Sequence, residues 1–172
     1  MGAMTLVNGT GSATFQFLAK PNIKEKKTAQ QMLRKYKELK LVVEDFRRHE
    51  ELLKQTIYNS ESTRRLDADE LYANKTANAV QLAQNQKRAA EKCDLLRNAL
   101  ERAVDMIGDD ESKQAITLRY LKGHTYSETL YYMKRGDKSS TVDRRINDGL
   151  LSVAQTLKMW GMLEWELDGG TE

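Results

Sequence analysis

The chain has 172 residues, 31% charged and 40% hydrophobic, with one proline, one cysteine and a formal net charge of +3. That length supports one medium domain or two small modules with a buried core, the composition favours helix, and so mild a charge does not by itself mark a nucleic-acid binder. The lone Cys93 excludes an intramolecular disulfide framework, and no run approaches the roughly 18 apolar residues of a membrane helix.

Residues 1–22, rich in Gly, Thr and Ser, read as a loosely ordered segment without the basic and apolar regions of a signal peptide. After Pro21, the residues Met32, Tyr36, Leu39, Val43, Phe46, Leu53 and Ile57 recur at intervals of four and three, interrupted by Glu50. This heptad seam predicts a helix over residues 24–58, about 50 Å long at 1.5 Å per residue. It should end near Asn59, Ser60 and Ser62, with residues 59–74 a polar connector that leaves room for a short helical turn around Leu66 to Tyr72. A second helix from Lys75 to Ile107 carries Leu82, Gln86, Ala89, Cys93, Leu96, Leu100 and Ala103 at the same spacing. Ala79, Ala83, Ala89, Ala90, Ala99 and Ala103 would let a partner helix approach closely, and Cys93 reads as a small buried hydrophobe. The expected arrangement over residues 23–109 is a long, coiled-coil-like antiparallel hairpin. Its seam (Tyr36, Leu39, Val43, Phe46, Leu53, Leu82, Ala89, Leu96, Leu100) would then serve a homo-oligomer, most simply a dimer, unless the C-terminal module fills it.

Gly108 suits a helix C-cap, and Asp110 is followed three residues later by Lys113, so no capping box is expected there. A helix over 111–122, with Ala115, Ile116, Leu118, Tyr120 and Leu121, ends at Gly123. Thr125 stands three before Glu128, a capping box that opens a short helix through Lys134. Gly136 and Asp137 make a break, and Ser139 or Ser140 caps a last helix to about Trp160. Val142, Ile146, Leu150, Val153 and Leu157 give that helix its inward face. Residues 161–172 form a tail; the stretch with Trp160, Met162, Leu163 and Trp165 is expected to fold back over the last helix, the alternative being a docking tail.

No catalytic constellation emerges. His49 and His124 lie in separate elements, no Cys, His or carboxylate cluster has metal-ligand spacing, and "GTGSAT" matches no phosphate-binding loop. The expectation is a protein that is not an enzyme, with no cofactor, metal or small-molecule substrate. Charge distribution says more than the total: between Lys113 and Lys158 nine bases face four acids, which suits a phosphate-facing module. A short helix, a brief turn and a second helix entered through hydroxyl residues predict a helix-turn-helix over residues 110–160. In such a motif Ser139, Ser140, Thr141, Arg144 and Arg145 are the base-edge candidates, and Lys122, Lys134, Arg135 and Lys138 the phosphate candidates.

The stretches "ITLRYLKGHTYSETLYYM" (116–133) and "SSTVDRRINDGLLSVAQTL" (139–157) resemble region four of sigma-70-type factors. The whole layout is similar to phage regulators of the ArpU type, related to the RinA activators, through Lys26, Lys27, Thr28, Leu33, Tyr36, Leu39 and Lys40 and then Asn78, Ala79 and Val80. The resemblance implies an all-α phage or prophage regulator of late packaging and lysis genes. Such a protein would act in the bacterial cytoplasm, bind double-stranded DNA through the helix starting near Ser139, and leave direct contact with RNA polymerase an open question. One departure stands out: from Met133 to Val142 the chain is two residues longer than the usual turn, and the run Lys134–Lys138 replaces its apolar residue. The alternatives are a DNA-packaging component such as a small terminase subunit, or a helical protein-interaction module that does not bind DNA.

Overall fold

In the computed structural model, residues 20–66, 70–133 and 138–164 are described, and every regular element among them is helical. The order is α1 (Ile23–Leu66), α2 (Glu70–Asp105), α3 (Asp110–Ile116) continued by a π-helical segment (Thr117–Leu121), α4 (Tyr126–Met133) and α5 (Ser139–Met159). Most of the tail, including Trp165, falls outside the described residues, as do residues 1–19. The turn residues Lys134, Arg135, Gly136 and Asp137 also fall outside them, so the longer turn and those two phosphate candidates have no structural description.

The polar connector expected over 59–74 is mostly helix: α1 continues to Leu66 and α2 begins at Glu70. No Gly or Pro occurs between Pro21 and Gly108, and Asn, Ser and Thr cost a helix interior only tenths of a kcal/mol each relative to its best formers, roughly 0.7 at most. Over residues 59–66 and 70–74 the polar residues lower helix propensity without ending either helix.

Two compact units divide the chain. One joins the chain up to Arg34 with the chain from Leu100 onward; the other comprises Lys35–Ala99. Both long helices therefore run through a boundary that the sequence placed at residue 109. The physical reason is the apolar content of the helix ends. Met32, Leu33, Leu100, Ile116 and Leu157 are all completely buried, each contributing about 1.5–3 kcal/mol relative to exposure.

Within the first unit, Ala115, Leu118, Met133 and Val142 form a core cluster with Leu130 and Ile146 against it. Cap residues set the local geometry. Asp109, not Asp110, caps α3: its carboxylate accepts the Ser112 N–H at 2.8 Å, and bonds from Ser112 hold its pKa below the ordinary aspartate value. Gly108 does not take up the left-handed conformation of a glycine cap; Gly123 (φ 69°) and Gly161 (φ 67°) do. At Gly161 the Met162 N–H bonds Leu157 O and the Gly161 N–H bonds Lys158 O, the pairing of a Schellman motif with Met162 buried. Residues 160–162 thus fold back on α5, and Trp160 lies under the Arg102 guanidinium at 5.1 Å. At Gly123 the corresponding closure is one residue wider, from His124 N–H to Leu118 O, because the preceding turn is π-helical. The sequence carries no signature of that π turn.

In the second unit, Arg47 and Asp94 approach to 3.4 Å across α1 and α2. Of the expected seam, Tyr36, Val43 and Leu96 are buried within the single chain and Leu39, Phe46 and Leu53 half-buried. Leu100, at the edge of the first unit, is also fully buried. These four buried residues are core, already covered before any second copy arrives. The inward line of α2 departs from expectation: Leu82 is 58% exposed and Ala89 is exposed, while Ala83 and Ala90 are buried. A straight helix drifts about 20° per heptad relative to a strict 3.5-residue repeat, and the small alanines provide the closer face. Cys93 is partly buried, and burial raises its thiol pKa.

Candidate nucleic-acid interface

The geometry of α5 follows from how its sides are held. A capping box fixes the start of α4: the Thr125 N–H donates to Glu128 Oε2 at 2.7 Å and the Glu128 N–H to Thr125 Oγ1 at 3.2 Å. The next residue, Tyr126, donates its hydroxyl to Asp143 Oδ1 at 2.5 Å, a bond that raises the phenol pKa. One turn further along α5, Asn147 accepts from Lys26 Nζ of α1. Asp143 and Asn147 are four residues apart and so share one side of the helix. On the other side, Arg145 makes an ion pair with Glu111 of α3 and its side chain is only 14% exposed.

Between these two sides runs the strip Ser140, Arg144 and Asp148, at i, i+4 and i+8, all exposed. It points away from Val142, Leu150, Val153 and Leu157, which are buried at the opposite face. Gly149 brings α5 against α3; a Cβ there would lie 2.5 Å from Ile116 Cγ1.

The helix is capped by Lys138 (φ −73°, ψ 150°) and not by a serine. The Lys138 carbonyl accepts the Thr141 and Val142 N–H groups at 2.9 and 3.4 Å, placing Val142 in the core. Ser139 and Ser140 are thereby the first two helical residues, exposed, at an end with no side-chain cap.

The expected site residues therefore separate. Lys138, Ser139, Ser140 and Arg144 lie together and exposed in the first two turns of α5, with Thr141 half-buried beside them. Lys122 is exposed beyond the π-helical segment. Arg145, equal to Arg144 in the sequence reading, is drawn into the Glu111 contact. Sequence reasoning also missed the start of α1 as a neighbour of α5. There the Asn22 N–H donates to Glu25 Oε2 at 2.7 Å and the Glu25 N–H to Asn22 Oδ1 at 2.8 Å, and Lys158 donates to the same carboxylate at 3.1 Å. The Asn22 bond first, then Lys158, holds the Glu25 pKa below its ordinary value. The cap itself was signalled by an Asn three residues before a Glu, directly after Pro21, but its contact with α5 was not. Among the described residues no group of three His, Cys, Asp or Glu could hold a metal ion, and no helix is long and apolar enough to cross a membrane.

Comparison with protein-family models, with curated proteins and with solved structures finds no match to this chain.

Proposed function

We propose that the protein is a sequence-specific double-stranded-DNA-binding regulator in which α4 and α5 act as a helix-turn-helix. The observation that carries this reading is the exposed strip Ser140–Arg144–Asp148 on the first turns of α5, braced on one side by Tyr126 and Lys26 and on the other by Glu111. A reading helix must present fixed side chains to base edges, and bracing from three elements supplies that rigidity. Arg144 is the guanine-reading candidate, Ser139 and Ser140 serve base or phosphate, and Lys122 and Lys138 contact the backbone. Arg145 positions the helix through Glu111.

In this reading α1 and α2 form the helical hairpin that carries a second copy. Its support is the apolar surface left on the Lys35–Ala99 unit: Leu41 is 64% exposed and Leu82 58%. A groove lined by Leu41, Val42, Phe46, Leu53 and Ala89, together with the polar Asp45, His49 and Gln86, runs between the two helices. Control of phage or prophage late genes follows from the resemblance to ArpU-type regulators. The test is selection of bound fragments from phage and host genomes, followed by salt titration on the selected duplex. Recovery of one recurrent site with salt-sensitive binding supports the reading; no enrichment and no salt-sensitive binding refutes it.

A further inference from the structure

Residues 20–34 carry Lys20, Lys24, Lys26, Lys27 and Arg34 against a single acid, Glu25. That acid is engaged by the Asn22 N–H and by Lys158, and Lys26 is engaged with Asn147. Lys24, Lys27, Gln31 and Arg34 are exposed. Their spacing of i, i+3, i+7 and i+10 places them on one face, turned away from the buried Ala29, Met32 and Leu33. The result is a strip of three cations and one amide, with Ile23, 78% exposed, at its N-terminal edge.

Its location follows from the two contacts that seat the start of α1 on α5. Glu25 meets Lys158 and Lys26 meets Asn147, so the first turn of α1 lies along the later part of α5. Asn147 is three residues beyond Arg144 and next to Asp148. The start of α1 therefore flanks the exposed strip of α5 on its Asp143/Asn147 side. A major groove about 12 Å wide that receives the first turns of α5 has a phosphate wall on each side.

We propose that Lys24, Lys27 and Arg34 are a second backbone-contacting surface, which binds the phosphates flanking the groove that α5 enters. The proposal rests on α5 being a duplex reader. The same DNA supplies its ligand, because a strip of three cations edged by a single isoleucine matches a phosphodiester ribbon better than it matches the clustered apolar core of a protein interface.

The test is a salt titration of the full chain bearing Lys24→Gln and Lys27→Gln, on the selected duplex and on a random duplex of equal length. Each phosphate that is no longer neutralised should lower the slope of log K against log salt by about 0.9, so the double variant should show a slope about 1.8 units shallower. Affinity should fall by the same factor on both duplexes, and Arg34→Gln alone should remove about half as much slope. Lys87→Gln with Lys92→Gln makes the same change in net charge on α2 and should leave the slope near wild type. An unchanged slope, or an equal fall in the α2 control, overturns the proposal. If Arg144→Ala still selectively weakens the specific duplex in that case, the α5 reading stands alone; if wild-type chain binds no duplex, both fall.

Discussion

Replacing Gly149 with Ala tests the close packing that holds α5 in place. In an open helix interior this change stabilises by about 0.8–1.0 kcal/mol, because alanine has the better helix propensity. At this position the new Cβ would stand 2.5 Å from Ile116 Cγ1, 3.2 Å from Ile116 Cδ1 and 3.1 Å from the Ser112 carbonyl oxygen. Ile116 is fully buried and the Ser112 oxygen belongs to the backbone, so neither can swing clear. Overpacking of this kind costs about 1–3 kcal/mol, and a 2.5 Å contact to a mid-chain carbon belongs in the upper half of that range. The net expectation is a loss of about 1–2 kcal/mol, or a Tm lower by about 2–8 °C for a chain of this size. Urea and thermal unfolding of Gly149→Ala beside Gly108→Ala measure it. Gly108 has no atom within 4 Å of a built Cβ and no left-handed φ, so its substitution should be neutral or slightly stabilising. A gain of about 1 kcal/mol at Gly149 would show that α3 and α5 do not approach as closely as described.

Thr125→Ala removes one arm of the capping box and should cost about 0.5–2 kcal/mol, with faster hydrogen exchange in the first turn of α4; unchanged exchange there would count against the box. Glu25 has its pKa lowered by folding. Its contribution is therefore complete above the ordinary glutamate value of about 4.3 and lost as pH falls through the folded value. The Tm difference between wild type and Glu25→Gln should be constant near neutrality and shrink below about pH 4.3; a difference independent of pH down to strong acid would contradict this linkage. Leu41→Lys with Leu82→Lys should convert an oligomer to monomer in sedimentation without lowering the monomer's helicity. A wild type that already sediments as a monomer would remove the second copy from the account.

Much of the fold was legible because the signals are local. Thr125 and Glu128 form their box within three residues, Gly123 ends its helix in the left-handed conformation, and Val142, Leu150, Val153 and Leu157 turn inward at helical spacing. What was not legible depends on partners distant in sequence. A helical wheel sets Arg144 opposite the buried face and Arg145, three residues after Val142, at its flank, but the ion pair with Glu111 on α3 that draws Arg145 in depends on a partner distant in sequence. The bond from Tyr126 to Asp143 spans 17 residues and that from Lys26 to Asn147 spans 121, with no periodicity to announce either. The heptad pattern placed Leu82 and Ala89 inside, whereas Ala83 and Ala90, which the sequence offered only as small residues allowing close approach, form the buried line. The serines at 139 and 140 looked like caps by type, but the burial of Val142 puts the cap one residue earlier, at Lys138.

The central claim is that α5 reads base edges through Arg144 while Arg145 holds the helix in place. Affinity for the selected duplex and for a random duplex, measured for Arg144→Ala and Arg145→Ala at one salt concentration, tests it most directly. Arg144→Ala should weaken the selected duplex by about 1–3 kcal/mol more than the random one, with an unchanged Tm. Arg145→Ala should lower the Tm. Equal losses on both duplexes for Arg144→Ala would contradict the claim.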